Sequence, residues 1–387
     1  MNSGSTRNSS SSQKIEEIIF LGAGASAAED APVQRNLFSE YFSGPSTTSE
    51  RITLKRNEAL KGFFSNFFGI DTSPPAADTT WPTFEEALGV IELAINRREC
   101  YRGYSEHSLK EVRDALILLI AEVLEEKLRN PPRAGKCFHN QLVERLFAKG
   151  TLITTCFISL NYDILIDNAL EDDFKDLQPD YGVIVTRPRQ GEERRERANK
   201  VKLYKLHGSL NWLYCPTCIR LILHPGEKAV VSREGTSCSR CKTPIVPLLI
   251  PPTFFKVMEN YYLQQIWHAA QDAFNQAQKI YFCGYSFPDA DMHIKYLIKR
   301  AELNRKSDWE IFIINNQSTL PSNDKASLLK DQRKKELWKL YHRFFNQKTS
   351  KVKFTTLSFQ DFCERDIKEN DIIRCKKLCE RQLDCQD

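Results

Sequence analysis

No run of apolar residues in this chain of 387 residues is long enough to cross a bilayer. The best stretches, residues 18–25 and 115–124, are too short or too interrupted. Charge of one sign is missing too. Fifty-five basic residues face fifty acidic ones, a net of +5, so the balance makes no call for a nucleic-acid partner, while a locally basic face stays compatible with it. Residues 1–13 form a Ser/Asn/Gly/Thr tract without the apolar core of a secretory signal and are expected to be a disordered lead-in. There is no Walker A signature and no internal repeat. Twelve cysteines in so large a chain without an export signal read as free thiols plus a metal site, not a disulfide framework, and a cytoplasmic location is expected.

What is present alternates. Residues 16–21 are a short apolar run ending at Gly22, which predicts a buried first strand and a helix after Ser26. Residues 36–150 carry no strand signal and read as a helical insertion, since so long a connection is rarely a bare loop. Its best helix is expected to start at a capping box made by Ser108 and Glu111. Leu109, Val112, Leu116, Leu119, Ile120 and Val123 would form its apolar face, and Pro131-Pro132 would stop it. Strands are predicted at 152–160, 201–206, 279–283, 310–314 and 352–357. Helices are predicted at 162–170, 261–278, 289–303 and within 324–345. This pattern implies an α/β fold: a doubly wound, Rossmann-like parallel sheet with a helical insertion and a small zinc-ribbon module.

Four groups of residues carry chemistry. Gly22 and Gly24, with Ala23 and Ser26, follow a strand; glycines there bring backbone N–H groups close to a pyrophosphate, although a plain strand-to-helix turn has the same residues. Asn161 and Asp163 follow a strand whose end faces the ligand edge of such a sheet. Asn161 suits a ribose hydroxyl or a water, or simply the cap of the next helix. His207, before Gly208, has a pKa range suited to taking a proton at neutral pH, and a structural role is the alternative. Cys215-x2-Cys218 and Cys238-x2-Cys241, separated by nineteen residues, have the spacing of a four-thiolate structural zinc site.

In this order the groups resemble the sirtuin (silent information regulator) family. Gly22-Ala23-Gly24-Ala25-Ser26 has the form of its glycine loop, Ser159-Leu160-Asn161-Tyr162-Asp163 keeps the asparagine and aspartate of its Thr-Gln-Asn-Ile-Asp motif, and His207-Gly208-Ser209 matches its histidine motif. The resemblance implies that Asn161 and His207 are catalytic. It implies NAD contacts at Gly22, Ala23, Gly24, Ser26, Arg35 and Asp163, at Gly284 and Ser286 of a Cys-Gly-Tyr-Ser turn, and at Asn315. The implied organisation is residues 14–35 and 151–369 as the NAD-binding domain, 36–150 as the insertion, 215–241 as the zinc ribbon and 370–387 as a C-terminal tail.

One departure bears on substrate. Residues 245–253 replace the Phe-Gly-Glu strand with which deacylases pair their acyl-lysine peptide, and prolines there cannot donate to a ladder. The run Phe287-Pro288-Asp289-Ala290-Asp291 is closer to divergent bacterial sirtuin-like proteins of anti-phage defence, which deplete NAD and in some cases act with a HerA-type hexameric ATPase. Hydrolysis of NAD to nicotinamide and ADP-ribose is therefore expected, in a homo-oligomer whose insertion controls access. The alternatives are an NAD-dependent protein deacylase and a non-enzymatic zinc-ribbon module that binds nucleic acid.

Overall fold

Four of the five side chains of Glu17–Leu21 are buried, and this β-branched and aromatic run forms β1, a strand covered on both faces. The computed structural model describes residues 14–33, 36–43, 54–72, 75, 78–129, 137–171, 175–186, 199–223, 237–250, 260–289, 291–315 and 332–373. Further strands are β2 (Thr155–Ser159), β3 (Leu177–Asp180), β4 (Asn199–Lys205), β5 (Gly208–Cys215), β6 (Arg220–Leu223) and β7 (Val246–Leu249). They continue with β8 (Lys279–Cys283), β9 (Trp309–Ile314), β10 (Ser350–Thr355) and β11 (Ile372–Ile373).

The larger sheet has the order β11-β10-β9-β8-β1-β2-β4-β3 and is parallel except for β11, which pairs antiparallel with β10. The chain first builds outward from β1 through β2 to β4 and β3. It then returns to the other flank of β1 for β8, β9 and β10. With the chain running outward from β1 in both directions, this is the doubly wound α/β fold that the alternation implies. The order reverses between β1 and β8, the place where such sheets open a crevice at the carboxyl ends of their strands. The smaller sheet, β6-β5-β7, is antiparallel and begins one residue after His207.

The helices are α1 (Ala23–Ala27), α2 (Leu37–Ser43), α3 (Leu54–Phe68), α4 (Phe84–Arg97), α5 (Glu106–Arg129) and α6 (Phe138–Ala148). After β2 come α7 (Leu165–Leu170), α8 (Tyr261–Gln276), α9 (Met292–Asn304), α10 (Gln332–Phe344) and α11 (Phe359–Glu364). Two cores divide them. The sheet, α6 and the later helices share one; α2 to α5 build a second, rich in phenylalanine, which Leu210 of β5 also enters. No described helix is long and apolar enough to cross a membrane.

Several local expectations shift. The long helix starts at Glu106, a turn early, because the Ser105 hydroxyl accepts from the Ser108 N–H; Ser108 is therefore inside the helix and not its cap. Glu111 faces His107 instead, at 3.6 Å. The stretch 152–160 opens with a 3-10 turn at Leu152–Thr154 before β2. The helix expected from 162 begins only at Leu165, leaving Asn161, Tyr162 and Asp163 in an irregular loop. Strand β3 gives no strand signal in the sequence because it contains Pro179, which has no N–H to donate and is tolerable at the sheet edge it occupies.

Candidate active site

The register of the large sheet lines up five strand ends. Leu21 stands beside Ser159 of β2 and Cys283 of β8; Ser159 stands beside Lys205 of β4, and Cys283 beside Ile314 of β9. The residues that follow, Asn315, Gly284, Gly22, Leu160-Asn161 and Leu206-His207, therefore emerge side by side along one edge. Gly22 and His207 are two strand spacings apart, roughly 10 Å. The glycine loop and the histidine motif share a face of the molecule, as a common site requires.

Glycine is needed where the loops on β1 and β8 meet. Gly22 N–H donates to the Cys283 carbonyl and Gly24 N–H to the Gly284 carbonyl, both at 2.9 Å. A Cβ on Gly284, which has φ +62°, would come within 2.2 Å of the Ala25 nitrogen, and one on Gly22 within 2.7 Å of the Gly284 oxygen. The glycines thus serve first to let two backbones touch. Since the N–H groups of Gly22, Gly24 and Ala25 all bond to carbonyls, the loop offers fewer free donors than a phosphate cradle built from all of them. The helix expected after Ser26 begins earlier, at Ala23, which is exposed at the start of α1; Ser286 is exposed on the neighbouring turn. The Asn315 amide donates to the Tyr285 carbonyl at 3.3 Å, which ties β9 to that turn. Arg35 lies outside the described residues.

On the other flank, side chains make the joints. Asn161 Nδ2 donates to the Gly22 carbonyl at 2.9 Å and to Ser26 Oγ at 2.8 Å. Ser26 Oγ donates to Asp163 Oδ2 at 2.7 Å, and Asp163 Oδ1 accepts the Leu165 N–H at 3.1 Å. Asp163, one residue ahead of the N-cap Ile164, thus satisfies the first N–H of α7, and Asn161 reaches across to the glycine loop. These residues line a cleft with about 530 Å³ of open space, partly continuous with solvent. Ser26, Asn161 and Asp163 form its polar wall; Leu37 of α2, Phe84 of α4, and Ile120 and Leu124 of α5 form the apolar wall opposite.

His207 is 4% exposed and stands back from that cleft wall, its ring centroid 6.3 Å from that of Tyr162, which does line it. Tyr162 knots three segments together. Its hydroxyl donates to the Ile250 carbonyl at 2.6 Å, its own carbonyl accepts from Leu210 N–H, and Ile250 N–H returns to the His207 carbonyl at 2.8 Å. Burial pushes the Tyr162 phenol well above its ordinary pKa, with the charges of Asp291 and Glu85 adding to it, so it stays a donor.

The sequence reading missed a buried ion pair beneath this loop. Lys205, the last residue of β4, is fully buried and donates from Nζ to Asp167 Oδ2 at 2.9 Å and to the backbone carbonyl of Asp163. Asp167 Oδ1 accepts from the Tyr181 hydroxyl at 2.7 Å. The available signal was a lysine at the inner end of a strand that otherwise alternates toward the core.

The four thiols of Cys215, Cys218, Cys238 and Cys241 lie within 4.8 Å of one another. Two of the S–S separations are 3.4 Å and 4.0 Å. They bracket the value of about 3.8 Å that a tetrahedron of Zn–S bonds near 2.3 Å demands. Such a cluster of soft donors fits zinc, and with four protein ligands it would be a structural site.

Among solved structures, the chain is similar to one described under the structural basis of sirtuin substrate affinity (13% identity, 91% of this chain and 92% of that one, TM-score 0.36). It is also similar to a Sir2 homologue–NAD complex (15%, 85% and 88%, TM-score 0.36) and to a Sir2 homologue with a His-to-Asn substitution bound to ADP-ribose (16%, 86% and 94%, TM-score 0.33). No curated protein matches the chain. Residues 155–345, from β2 to the end of α10, match the family model described as SIR2-like domain.

Proposed function

We propose that the chain is an NAD+ glycohydrolase that releases nicotinamide and transfers the ribose to water, giving ADP-ribose. The observation that carries this is the hydrogen-bonded run Gly22–Asn161–Ser26–Asp163, which joins the carboxyl ends of β1 and β2 beside the switch point of the sheet. It ties the loop expected to meet the dinucleotide to the residues expected to meet the nicotinamide ribose. Departure of neutral nicotinamide leaves an oxocarbenium-like ribose. A fixed carboxylate on Asp163 and a fixed amide on Asn161 would stabilise and orient it without reorganising at the moment of reaction. His207 would assist by accepting a proton from the attacking water or a ribose hydroxyl, which requires the Tyr162 ring to yield some room.

Water is favoured over an acyl peptide as acceptor by what happens after the second cysteine pair. Peptide pairing needs free main-chain donors and acceptors on the strand it joins. Ile250 spends its N–H on His207 and its carbonyl on Tyr162, and Pro247 in β7 has no N–H to give. Cys215, Cys218, Cys238 and Cys241 are proposed to hold one Zn2+ that fixes the end of β5, whose last residue is Cys215. The setting proposed with this activity, NAD depletion in anti-phage defence with a homo-oligomer and a HerA-type hexameric ATPase, rests on the sequence resemblance. Helices α2, α4 and α5, which wall the cleft, are the elements through which such partners would control access.

The test is to incubate the full-length protein with NAD+ and follow nicotinamide and ADP-ribose by chromatography, with and without an acetyl-lysine peptide. Release that needs no peptide and falls at least about 100-fold in Asn161→Ala is expected, the usual cost of losing one transition-state donor. Peptide-dependent release would replace the reading with a deacylase. Salt-dependent DNA binding without NAD affinity would replace it with a binding module.

A further inference from the structure

The ion pair under the cleft has no part in the reaction as drawn so far, yet its placement is specific. Lys205 and Asp167 are both almost completely buried, at 0% and 4% side-chain exposure. A pair removed from water is weak evidence for stability, because well-packed apolar residues of similar volume often hold a fold as well or better. The position is better explained by what else the ammonium group touches. Its second partner is the backbone carbonyl of Asp163, in the irregular loop between β2 and α7 that carries Asn161, Tyr162 and Asp163.

That loop is held from above and below by different means. Above, Asn161 and Asp163 both engage Ser26 and, through it, the glycine loop. Below, Lys205 reaches from the adjacent strand and fixes the carbonyl of the residue whose carboxylate lines the cleft. Asp167 pairs with the ammonium group, while the carboxylate of Asp163 is bonded, among the described residues, to two neutral groups, the Ser26 hydroxyl and the Leu165 N–H. A carboxylate held in that place complements a ribose that becomes cationic in the transition state.

We propose that Lys205 is a positioning residue for NAD+ cleavage. It clamps the Asp163 carbonyl, and so sets where the Asp163 carboxylate and Asn161 amide point, while Asp167 absorbs its charge. This rests on the NAD-cleavage reading. The clamp acts on geometry that matters most in the transition state. Its loss lowers kcat while leaving KM nearly unchanged, and displacements near 1 Å at such groups cost on the order of 100-fold.

The experiment compares wild type, the charge-free double variant Lys205→Met/Asp167→Leu, and Tyr181→Phe. Tyr181→Phe removes a bond from the same network without touching the Asp163 carbonyl. Thermal midpoints, kcat and KM for nicotinamide release, and NAD+ affinity by calorimetry are read for each. The double variant is expected to fold with a melting temperature close to wild type, lose about 10- to 100-fold in kcat and keep KM within about 3-fold. Tyr181→Phe is expected to lose some stability and keep kcat within about 3-fold. A folded double variant with wild-type kcat overturns the positioning role and leaves the NAD reading standing. So does Tyr181→Phe losing kcat in step with stability, since activity would then track the network's strength and not the clamp. A wild-type protein that neither binds nor cleaves NAD+ overturns the reading itself, and the clamp with it.

Discussion

Toward β8 and β9 the strand ends at the switch point meet backbone to backbone, through Gly22, Gly24 and Gly284. Toward β2 and β4 they meet through the side chains of Ser26, Asn161, Asp163, Tyr162 and Lys205. The first flank can be only one shape, because there is no room for a Cβ. The second carries the charge, and its groups have alternatives that only their partners exclude. A dinucleotide has a matching asymmetry: one half needs a surface it can approach closely, the other needs its charge managed while a bond breaks.

The largest test of this comparison lies on the backbone flank. Gly284→Ala would place a Cβ within 2.2 Å of the Ala25 nitrogen at a left-handed φ of +62°. Left-handed strain plus the overpacking should cost about 3 kcal/mol. A drop in the denaturant midpoint with an unchanged slope, accompanied by lost NAD+ affinity, is expected. A variant within 1 kcal/mol of wild type on the same measurement (about a fivefold change in the folding equilibrium) would mean the two loops are not pressed together as described.

Ser26→Ala probes the other flank and should cost less. It removes a donor from a buried carboxylate and an acceptor from the Asn161 amide, worth about 2 kcal/mol for a hydrogen bond to a charged group. Here the kinetic signature should invert. The glycine variant is expected to lose NAD+ binding first, and the serine variant to lose kcat while binding persists. Equal losses in KM and kcat from both substitutions would erase the distinction between a flank of shape and a flank of charge.

Much of the first flank was legible before the fold was known. Glycines after an apolar run mark a close turn because few other residues can occupy one, and the strand Lys279–Cys283 appears with the bounds its residues suggest. The cysteine spacing likewise carries its geometry in the chain, and the four thiols do converge. The second flank was legible only in part. Asn161, Asp163 and His207 stand out by motif, but Lys205, Asp167 and Tyr181 look like ordinary polar residues until register brings β4 beside β2 and α7. Whether a lysine in an alternating strand points to water or to a carboxylate is decided by its neighbours in space. The depth of His207 was hidden for the same reason, since it depends on an aromatic ring from a loop more than forty residues earlier.

Tyr162→Phe is the smallest change and the one that separates acceptor choice from cofactor handling. The substitution keeps the ring beside His207 and deletes only the hydroxyl that donates to Ile250, leaving that carbonyl without this donor, at a cost of about 1 kcal/mol. Because burial raises the phenol well above its ordinary value, the bond persists at every pH where enzymes of this kind are assayed. The sign follows from linkage. A group whose folded pKa exceeds its unfolded one, about 10 for tyrosine, gives its full stability below that value and loses it only as pH climbs further. Unfolding measured at pH 8 and above pH 10 should therefore show wild type losing more of its margin than the variant. At pH 8 the variant should hydrolyse NAD+ at nearly the wild-type rate, because neither Asn161 nor Asp163 loses a partner. With the Ile250 carbonyl released, the segment that follows β7 regains one acceptor for an extended peptide. Added acetyl-lysine peptide is then expected to compete weakly with water in the variant and not in wild type. A variant that still ignores peptide would place the barrier to deacylation at Pro247 and the Ile250 N–H instead of at this phenol.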